Sequence, residues 1–482
     1  MNFDNLKSQA IHGTIWSFVE RFSTQAVHFA LTIIMARLLT PNDYGLIGML
    51  AIFISLSQVF IDGGFSTALV QRQDRTDEDF STVFYINLSV SVVIYLILFF
   101  CAPLIADFYE QPLLVSITRV YSINLIINSL VAVNKTKLVI KVDFKTQSKI
   151  SLLVAILSGV LGIVAALNDV GVWALVVQML AQAVFNVIFS FWFVKWFPAK
   201  VFSKKSFRKL FKFGSKLLVA QIISNIYSNI YNVVIGKKFT SSDLGFYTRA
   251  HQFALFAGGN ISQILQRVTF PLLSQIQDND KRLLDVYKKY LQLVTFIVFP
   301  LIMIMFGSAK PLILILLGDK WSGCIILLQI MSFSCLWDCV ILSNLNLLYV
   351  KGRSDLILKL EIIKKSIAFS ILVISMFFDL IIVCVGQAVY SLIALYLSTI
   401  YTKKILNYGF ITQMKEILPW LLLSFVIGGL GVIICNTIEN EYLAMIFSVT
   451  ACLITYFGVS FLLKFTPLNV AVELVKEKIK KK

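Results

Sequence analysis

The residues of this chain that could do chemistry are polar side chains set into apolar runs at helical spacing. Ser17, Glu20, Arg21, Thr24, Gln25 and His28 fall on one face of the first run. Gln221, Asn225, Ser228, Asn229 and Asn232 form a second stripe. Arg249, Gln252, Asn260, Gln263 and Arg267 make a third at three- and four-residue steps, and Ser55, Gln58 and Asp62 a shorter fourth. A charge at membrane depth costs about 2.5–3.5 kcal/mol even on insertion scales, so such side chains are functional candidates by default. Facing polar stripes on two related helix bundles describe a hydrophilic cavity between the lobes, the usual site of a transporter. Glu20 and Asp62 are the acids available there for ion coupling or charge pairing. Arg119 and Arg249 lie toward the external ends of their runs, where topology disfavours a cation, and are the better candidates to meet a ligand.

Plainer readings stand beside these. Arg21 can snorkel to the interface, Arg267 can be an anchor at the inner surface, and Asp62 can simply neutralise Arg21. Asp338 and the Asn/Gln stripes can be interhelical glue. Enzymatic chemistry finds no support. The three His (His12, His28, His251) form no cluster, and there is no Walker A sequence, HExxH or nucleophile elbow. No loop is long enough for a catalytic domain, and the loop acids are interleaved with Lys and Arg. The seven cysteines all sit in apolar runs without metal or disulfide spacing and read as packing residues. Neither cofactor nor metal is expected.

Composition dictates what positions these residues. The chain is 58% hydrophobic and 14% charged, with mean hydropathy +0.82 and 40 Phe. No soluble domain could hide that surface. Continuous apolar runs of about 20 residues recur throughout, the length of a bilayer-spanning helix. They exclude a β-barrel, whose strands alternate over about 10 residues. The first run is too long for a cleaved signal peptide. We expect an all-α integral membrane protein of about fourteen spans, near 14–38, 44–69, 80–105, 112–134, 148–168, 171–194, 214–236, 244–270, 286–308, 321–349, 358–378, 380–402, 416–436 and 442–463. With both termini cytoplasmic, most of the 43 Lys and Arg fall on the inner side. The external connections then hold only Arg37, Lys237, Lys238, Lys310 and Lys320. The net charge of +17 is thus a topology signal and an affinity for anionic membrane lipid, with no nucleic acid needed to explain it.

A short mark occurs twice. Thr40-Pro41-Asn42-Asp43-Tyr44-Gly45-Leu46 is answered by Thr240-Ser241-Ser242-Asp243-Leu244-Gly245-Phe246. Both read as tight external helix connections, with Thr/Ser/Asp capping the second helix and Gly easing the turn. Ala102-Pro103-Leu104-Ile105 aligns with Lys310-Pro311-Leu312-Ile313, and Asn134 and Lys141 with Asn344 and Lys351. Helix n matches helix n+6, which implies two parallel-repeated six-helix lobes, 1–200 and 201–405, related by an axis along the membrane normal. Residues 195–216 read as the linker. A C-terminal helix pair and basic cytoplasmic tail, 406–482, lie outside the repeat. Phe3/Leu6/Ala10 and Leu468/Val472/Val475/Ile479 have the spacing of interfacial amphipathic helices, and a disordered basic tail is the alternative for the latter.

One group of motifs carries a resemblance. Asp62-Gly63-Gly64-Phe65-Ser66-Thr67-Ala68-Leu69-Val70-Gln71-Arg72, followed by Glu78-Asp79-Phe80-Ser81-Thr82-Val83-Phe84, resembles the signature of Wzx-type polysaccharide flippases. So do Phe270-Pro271, Ser274-Gln275-Ile276-Gln277-Asp278, Gly352-Arg353-Ser354-Asp355 and Lys359-Leu360-Glu361-Ile362-Ile363-Lys364-Lys365. These proteins are the polysaccharide transporter family of the multidrug/oligosaccharidyl-lipid/polysaccharide exporter superfamily. The resemblance implies two lobes around a central cavity and alternating-access translocation of undecaprenyl-diphosphate-linked oligosaccharide across the bacterial inner membrane. It also implies a role in making O-antigen, capsule or exopolysaccharide, with polysaccharide polymerase machinery as a partner. Arg21, Arg119 and Arg249 would then draw in the diphosphate, since guanidinium binds phosphate bidentately. Gln221, Asn225, Gln252, Asn260 and Gln263 would hold sugar hydroxyls, with Gln25 a further substrate-binding residue of the central cavity. The rival readings are a cation-coupled multidrug exporter of the same superfamily, a lipid II flippase, and a non-transporting scaffold of a polysaccharide synthase complex.

Overall fold

The computed structural model describes residues 25–465, 467 and 468, and within them the side chains of all but residues 257 and 259–268. The N-terminal amphipathic stretch and nearly all of the C-terminal one lie outside the described residues. All regular elements described are helical. The chain divides into two compact units, Met1–Gly245 and Phe246–Lys482.

The first unit holds α1 (Gln25–Leu38), α2 (Pro41–Asp62), α3 (Phe65–Gln71), α4 (Asp77–Tyr109), α5 (Leu114–Tyr121), α6 (Ile123–Ser129), α7 (Ala132–Ile140), α8 (Phe144–Leu167), α9 (Trp173–Val194) and α10 (Lys204–Lys238). It also holds the start of α11 (Ser241–Gln275). α2 packs along α10, and α8 and α9 form a close hairpin. Phe65, Leu69, Phe80, Val83, Phe84, Val133 and Leu210 make one core cluster where α3, α4, α7 and α10 meet.

The repeated mark starts α2 and α11 with the same device. Thr40 and Asp43 close a capping box, the Thr40 amide donating to Asp43 Oδ2 at 2.8 Å and the Asp43 amide to Thr40 Oγ1 at 3.4 Å. Thr240 and Asp243 repeat it at 3.1 Å in both directions. The role expected for glycine needs correction. Gly45 and Gly245 do not ease turns; both sit inside their helices. A Cβ on Gly45 would lie 1.7 Å from the Ser241 carbonyl oxygen, and one on Gly245 would lie 2.0 Å from that of Pro41. The Ser241 hydroxyl also donates to Asn42 Oδ1. The two marks are therefore packed reciprocally, each glycine making room for the other helix's first turn.

The expected linker is shorter than 195–216. Only 195–203 is irregular, and Ser203 caps α10 by accepting from the Ser206 amide at 3.3 Å. Residues 204–216 are helical because their apolar side finds a partner. Phe207 and Phe211 lie against Phe65 with ring centres 6.2 and 6.3 Å apart, and Leu210 is buried. Gly64, in the left-handed region at φ 73°, lets the chain touch Gly214, where a Cβ would fall 2.6 Å from the backbone oxygen.

The second unit holds α12 (Asp280–Gly307), α13 (Ala309–Leu316), α14 (Cys324–Leu336), α15 (Asp338–Val350), α16 (Ser354–Ser375), α17 (Leu380–Leu406), α18 (Phe410–Thr437) and α19 (Glu441–Leu462), with most of α11. The C-terminal pair α18 and α19 is built into this unit's core. Gly307 meets Gly428 and Gly431, where an added Cβ would come within 2.8 and 3.0 Å of backbone. Trp420 Nε1 donates to Thr295 Oγ1 at 3.0 Å. The Tyr456 hydroxyl donates to the Phe296 carbonyl at 2.8 Å. That carbonyl lies four residues before Pro300, which has no N–H to offer it. Six of the seven cysteines are buried and Cys101 is half-buried, as packing residues would be.

Among the described residues ten helices are long and apolar enough to cross a membrane, or eleven if the bent pair 114–129 and 132–140 forms one span. That is fewer than fourteen. The places of the other three expected spans are taken by α1, α11 and α16, which are helical. α1 is described for 25–38 only, α11 carries the third polar stripe, and α16 carries Lys359, Glu361, Lys364 and Lys365.

Candidate functional site

Polar residues from α2 and α10 meet inside the first unit. Ser55 Oγ donates to Asn225 Oδ1 at 2.9 Å, and Asn229 Nδ2 donates to Ser55 Oγ at 3.2 Å and to the Asn225 carbonyl at 3.0 Å. Asn225 and Asn229 are one turn apart on α10, so both reach the same hydroxyl. Gln221 lies one turn before Asn225 on α10 and Gln58 about one turn after Ser55 on α2, each half-buried. The arrangement offers carbonyl acceptors and amide donors at membrane depth, the groups that exchange hydrogen bonds with hydroxylated ligands.

The other candidates are placed differently. Asp62 accepts from the Ser66 hydroxyl at 2.5 Å, where α2 passes into α3. Gln25 is exposed at the start of α1. Arg249, half-buried on α11, donates from Nη1 to Gln252 Oε1 at 2.6 Å, one turn along the same helix. Arg119 turns to its own unit: its Nε donates to the Phe99 carbonyl at 3.3 Å, and its guanidinium carbon lies 4.5 Å from the centre of the Phe99 ring. Glu20 and Arg21 lie outside the described residues, as do the side chains of Asn260, Gln263 and Arg267.

Sequence reasoning missed several polar constellations. Arg72, at the end of α3, donates from Nη1 to Asp79 Oδ1 at 2.7 Å and from Nε to Asp74 Oδ1 at 3.0 Å. Lys137 reaches Asp77 at 3.0 Å and lies over the rings of Phe80 and Trp196 at 4.4 and 4.5 Å. The Arg72 and Lys209 hydrogen bonds hold the Asp74 carboxyl down to about 2, and Arg353 does the same to Asp355, also to about 2. The signature residues Arg72 and Asp79 thus bond each other. In the second unit, Asn344 exchanges hydrogen bonds with Gln413 at 3.0 and 2.9 Å and accepts from Thr402 Oγ1 at 2.6 Å, all three fully buried. Asn344 stood out only by its alignment with Asn134; its partners on α17 and α18 are far away in sequence.

A family profile described as polysaccharide biosynthesis protein matches residues 34–326, more than half of the chain. The teichuronic acid biosynthesis protein TuaB of Bacillus subtilis (strain 168) is 24% identical over 354 residues, 73% of this chain and 73% of that one. The lipopolysaccharide biosynthesis protein WzxC of Escherichia coli (strain K12) is 22% identical over 363 residues, 75% of this chain and 74% of that one. Among solved structures, the lipid II flippase MurJ in its inward closed conformation superposes with a TM-score of 0.77 at 14% identity, over 93% of this chain and 99% of that one. This last likeness is one of fold.

Proposed function

This chain belongs to the family of polysaccharide biosynthesis proteins, and on that premise we propose that it flips undecaprenyl-diphosphate-linked oligosaccharide units across the bacterial cytoplasmic membrane by alternating access. The observation that carries the reading is the Ser55–Asn225–Asn229 cluster. It sets hydroxyl and amide groups between two helices long and apolar enough to cross a membrane, in a chain whose relatives are named for teichuronic acid and lipopolysaccharide biosynthesis. Such a cargo combines a diphosphate, a hydroxyl-rich glycan and a long apolar tail. Amides suit the glycan, guanidinium groups suit the diphosphate, and the tail remains in lipid.

In this reading Gln25, Gln221, Asn225, Gln252, Asn260 and Gln263 hold sugar, and Arg21 and Arg249 attract the diphosphate. Arg119 can join them only by leaving Phe99. Glu20 and Asp62 serve coupling or charge pairing. We also propose cytoplasmic termini, polymerase machinery as the downstream partner, and the division into repeats 1–200 and 201–405 followed by 406–482.

Two measurements test the proposal. Proteoliposomes holding the full chain are expected to move a defined lipid-linked oligosaccharide between leaflets, and empty vesicles are not. In cells, Asn225→Ala and Arg249→Ala are expected to lower displayed polysaccharide at least several-fold at equal protein level. Undiminished display in both variants would remove these residues from the path, and absent flipping would remove the function.

A further inference from the structure

We infer that the first turns of α10, residues 204–216, form a docking surface for anionic phospholipid headgroups of the leaflet that they face. The inference stands on the surface alone and does not rest on the proposed function.

The length of α10 comes first. Its 35 residues span about 52 Å at ~1.5 Å each, against a hydrocarbon core of about 30 Å. Roughly 20 Å must therefore stand in the headgroup region and beyond. Charge says which end. Lys237 and Lys238 close the helix directly after its apolar part, whereas Lys204, Lys205, Arg208, Lys209, Lys212 and Lys216 occupy the opposite end.

Their spacing makes one face. At ~100° per residue these six fall within an arc of about 140°, while Phe207, Leu210 and Gly214 fall outside it on the other side and Phe211 at its edge. The apolar side is already taken by Phe65 and Gly64 of the same unit. All six basic residues are exposed. Lys209 pairs with Asp74 at 3.3 Å; among the described residues the other five have no carboxylate within ion-pair reach. Five cations directed outward from the end of a membrane-crossing helix complement a negatively charged bilayer surface.

A second observation is independent of charge. The segment just before α10 exposes large apolar side chains: Phe197 is 70% exposed, Phe202 52% and Val201 46%. Aromatic residues beside a basic helix are the composition that settles at the boundary between headgroups and acyl chains. A soluble acidic protein would match the cations and leave these rings in water. A lipid surface satisfies both.

The test uses the full chain in nanodiscs of equal phosphatidylcholine and phosphatidylglycerol, with the lipid retained through purification counted by mass spectrometry. Wild type should retain an excess of phosphatidylglycerol that shrinks with added salt. K204Q/K205Q/R208Q/K212Q should reduce that excess at least about threefold, since each basic residue near an anionic surface carries a factor of roughly five. Arginine in place of the three lysines, with Arg208 kept, should preserve it. Thermal unfolding in pure phosphatidylcholine should be the same for all three, which separates lost lipid contact from lost fold. Should the glutamine variant unfold early, K204Q/K205Q alone should still reduce the excess. An excess unchanged by neutralisation would overturn the inference. So would its abolition by inorganic phosphate at matched ionic strength, which would mark a discrete phosphate pocket in place of a bilayer-facing surface.

Discussion

Arg119 supplies the hydrogen bond that Phe99 loses to a proline. Pro103 lies inside α4 and has no N–H, so the Phe99 carbonyl one turn earlier is left without its helical donor. Arg119 Nε fills that place at 3.3 Å, and its guanidinium rests on the Phe99 ring. Tyr456 does the same for Phe296 ahead of Pro300 in the second unit. Both prolines survive within long apolar helices because a donor from another element answers the orphaned acceptor.

Arg119→Ala is therefore expected to destabilise the protein by about 1–3 kcal/mol, the usual loss when a sequestered acceptor is left without a donor. In a Pro103→Ala background, where alanine brings back the backbone N–H, the same change should cost much less. Thermal unfolding of the four proteins of this cycle measures the coupling. An Arg119→Ala protein that melts like wild type yet loses polysaccharide display would assign Arg119 to cargo instead.

The reciprocal contact of the repeated marks predicts a steep response to one methyl group. Gly45→Ala and Gly245→Ala would each drive a Cβ to within 1.7 and 2.0 Å of a backbone carbonyl oxygen. Backbone cannot rotate away as a side chain can, so each should lose at least about 1–3 kcal/mol and much of its folded yield. Gly429→Ala is the control, because its Cβ would meet nothing within 4 Å. Its yield in size-exclusion profiles should match or exceed wild type, since Ala favours helix over Gly.

Gln413→Leu should be among the more damaging substitutions in the second unit. It removes both hydrogen bonds to Asn344 and leaves one of that buried amide's two N–H groups without an acceptor, a loss of about 1–3 kcal/mol. Adding Asn344→Leu removes the stranded partner and should recover part of the loss in the melting temperature, leaving Thr402 without its acceptor.

Acid sensitivity should concentrate at exposed carboxylates in and beside the turns between helices. Asp74 titrates near 2 in the folded chain and near the ordinary ~3.9 when unfolded. Its stabilising contribution is thus complete above about pH 4 and disappears as the pH falls toward 2. Asp355 behaves alike. The melting temperatures of wild type and Asp74→Asn should differ at pH 5 and converge at pH 2. The gap should narrow in high salt, because these carboxylates are exposed. A gap that persists at pH 2 would show that Asp74 acts through packing.

The local physics of the chain was legible before the fold. Apolar runs of membrane-spanning length require helices, since a backbone in lipid must satisfy its own hydrogen bonds. Thr and Asp three apart forecast the caps at Thr40 and Thr240, which took the expected form. The motif around Asp62–Arg72 pointed to the family. Amide stripes on α2 and α10 were visible as stripes, and Ser55, Asn225 and Asn229 do come together.

What tertiary structure alone decided is who answers whom. Periodicity states which face of a helix is polar but not whether that face meets a neighbour, a carbonyl or a cargo. Arg119 read as a ligand-binding cation because its depth was unusual; the Pro103 gap belongs to α4 alone, but that Arg119 answers it depends on α4 and α5 packing together. Gly45 and Gly245 read as turn residues because local sequence has no term for another helix crossing within backbone contact. The C-terminal pair reads from sequence as lying outside the repeat, which does not say where it packs; Gly428, Trp420 and Tyr456 fit it into the second unit's core. Caps and spans depend on residues a few positions apart, so sequence determines them; satisfaction of a buried polar group depends on residues tens to hundreds of positions apart, and only the fold brings those within reach.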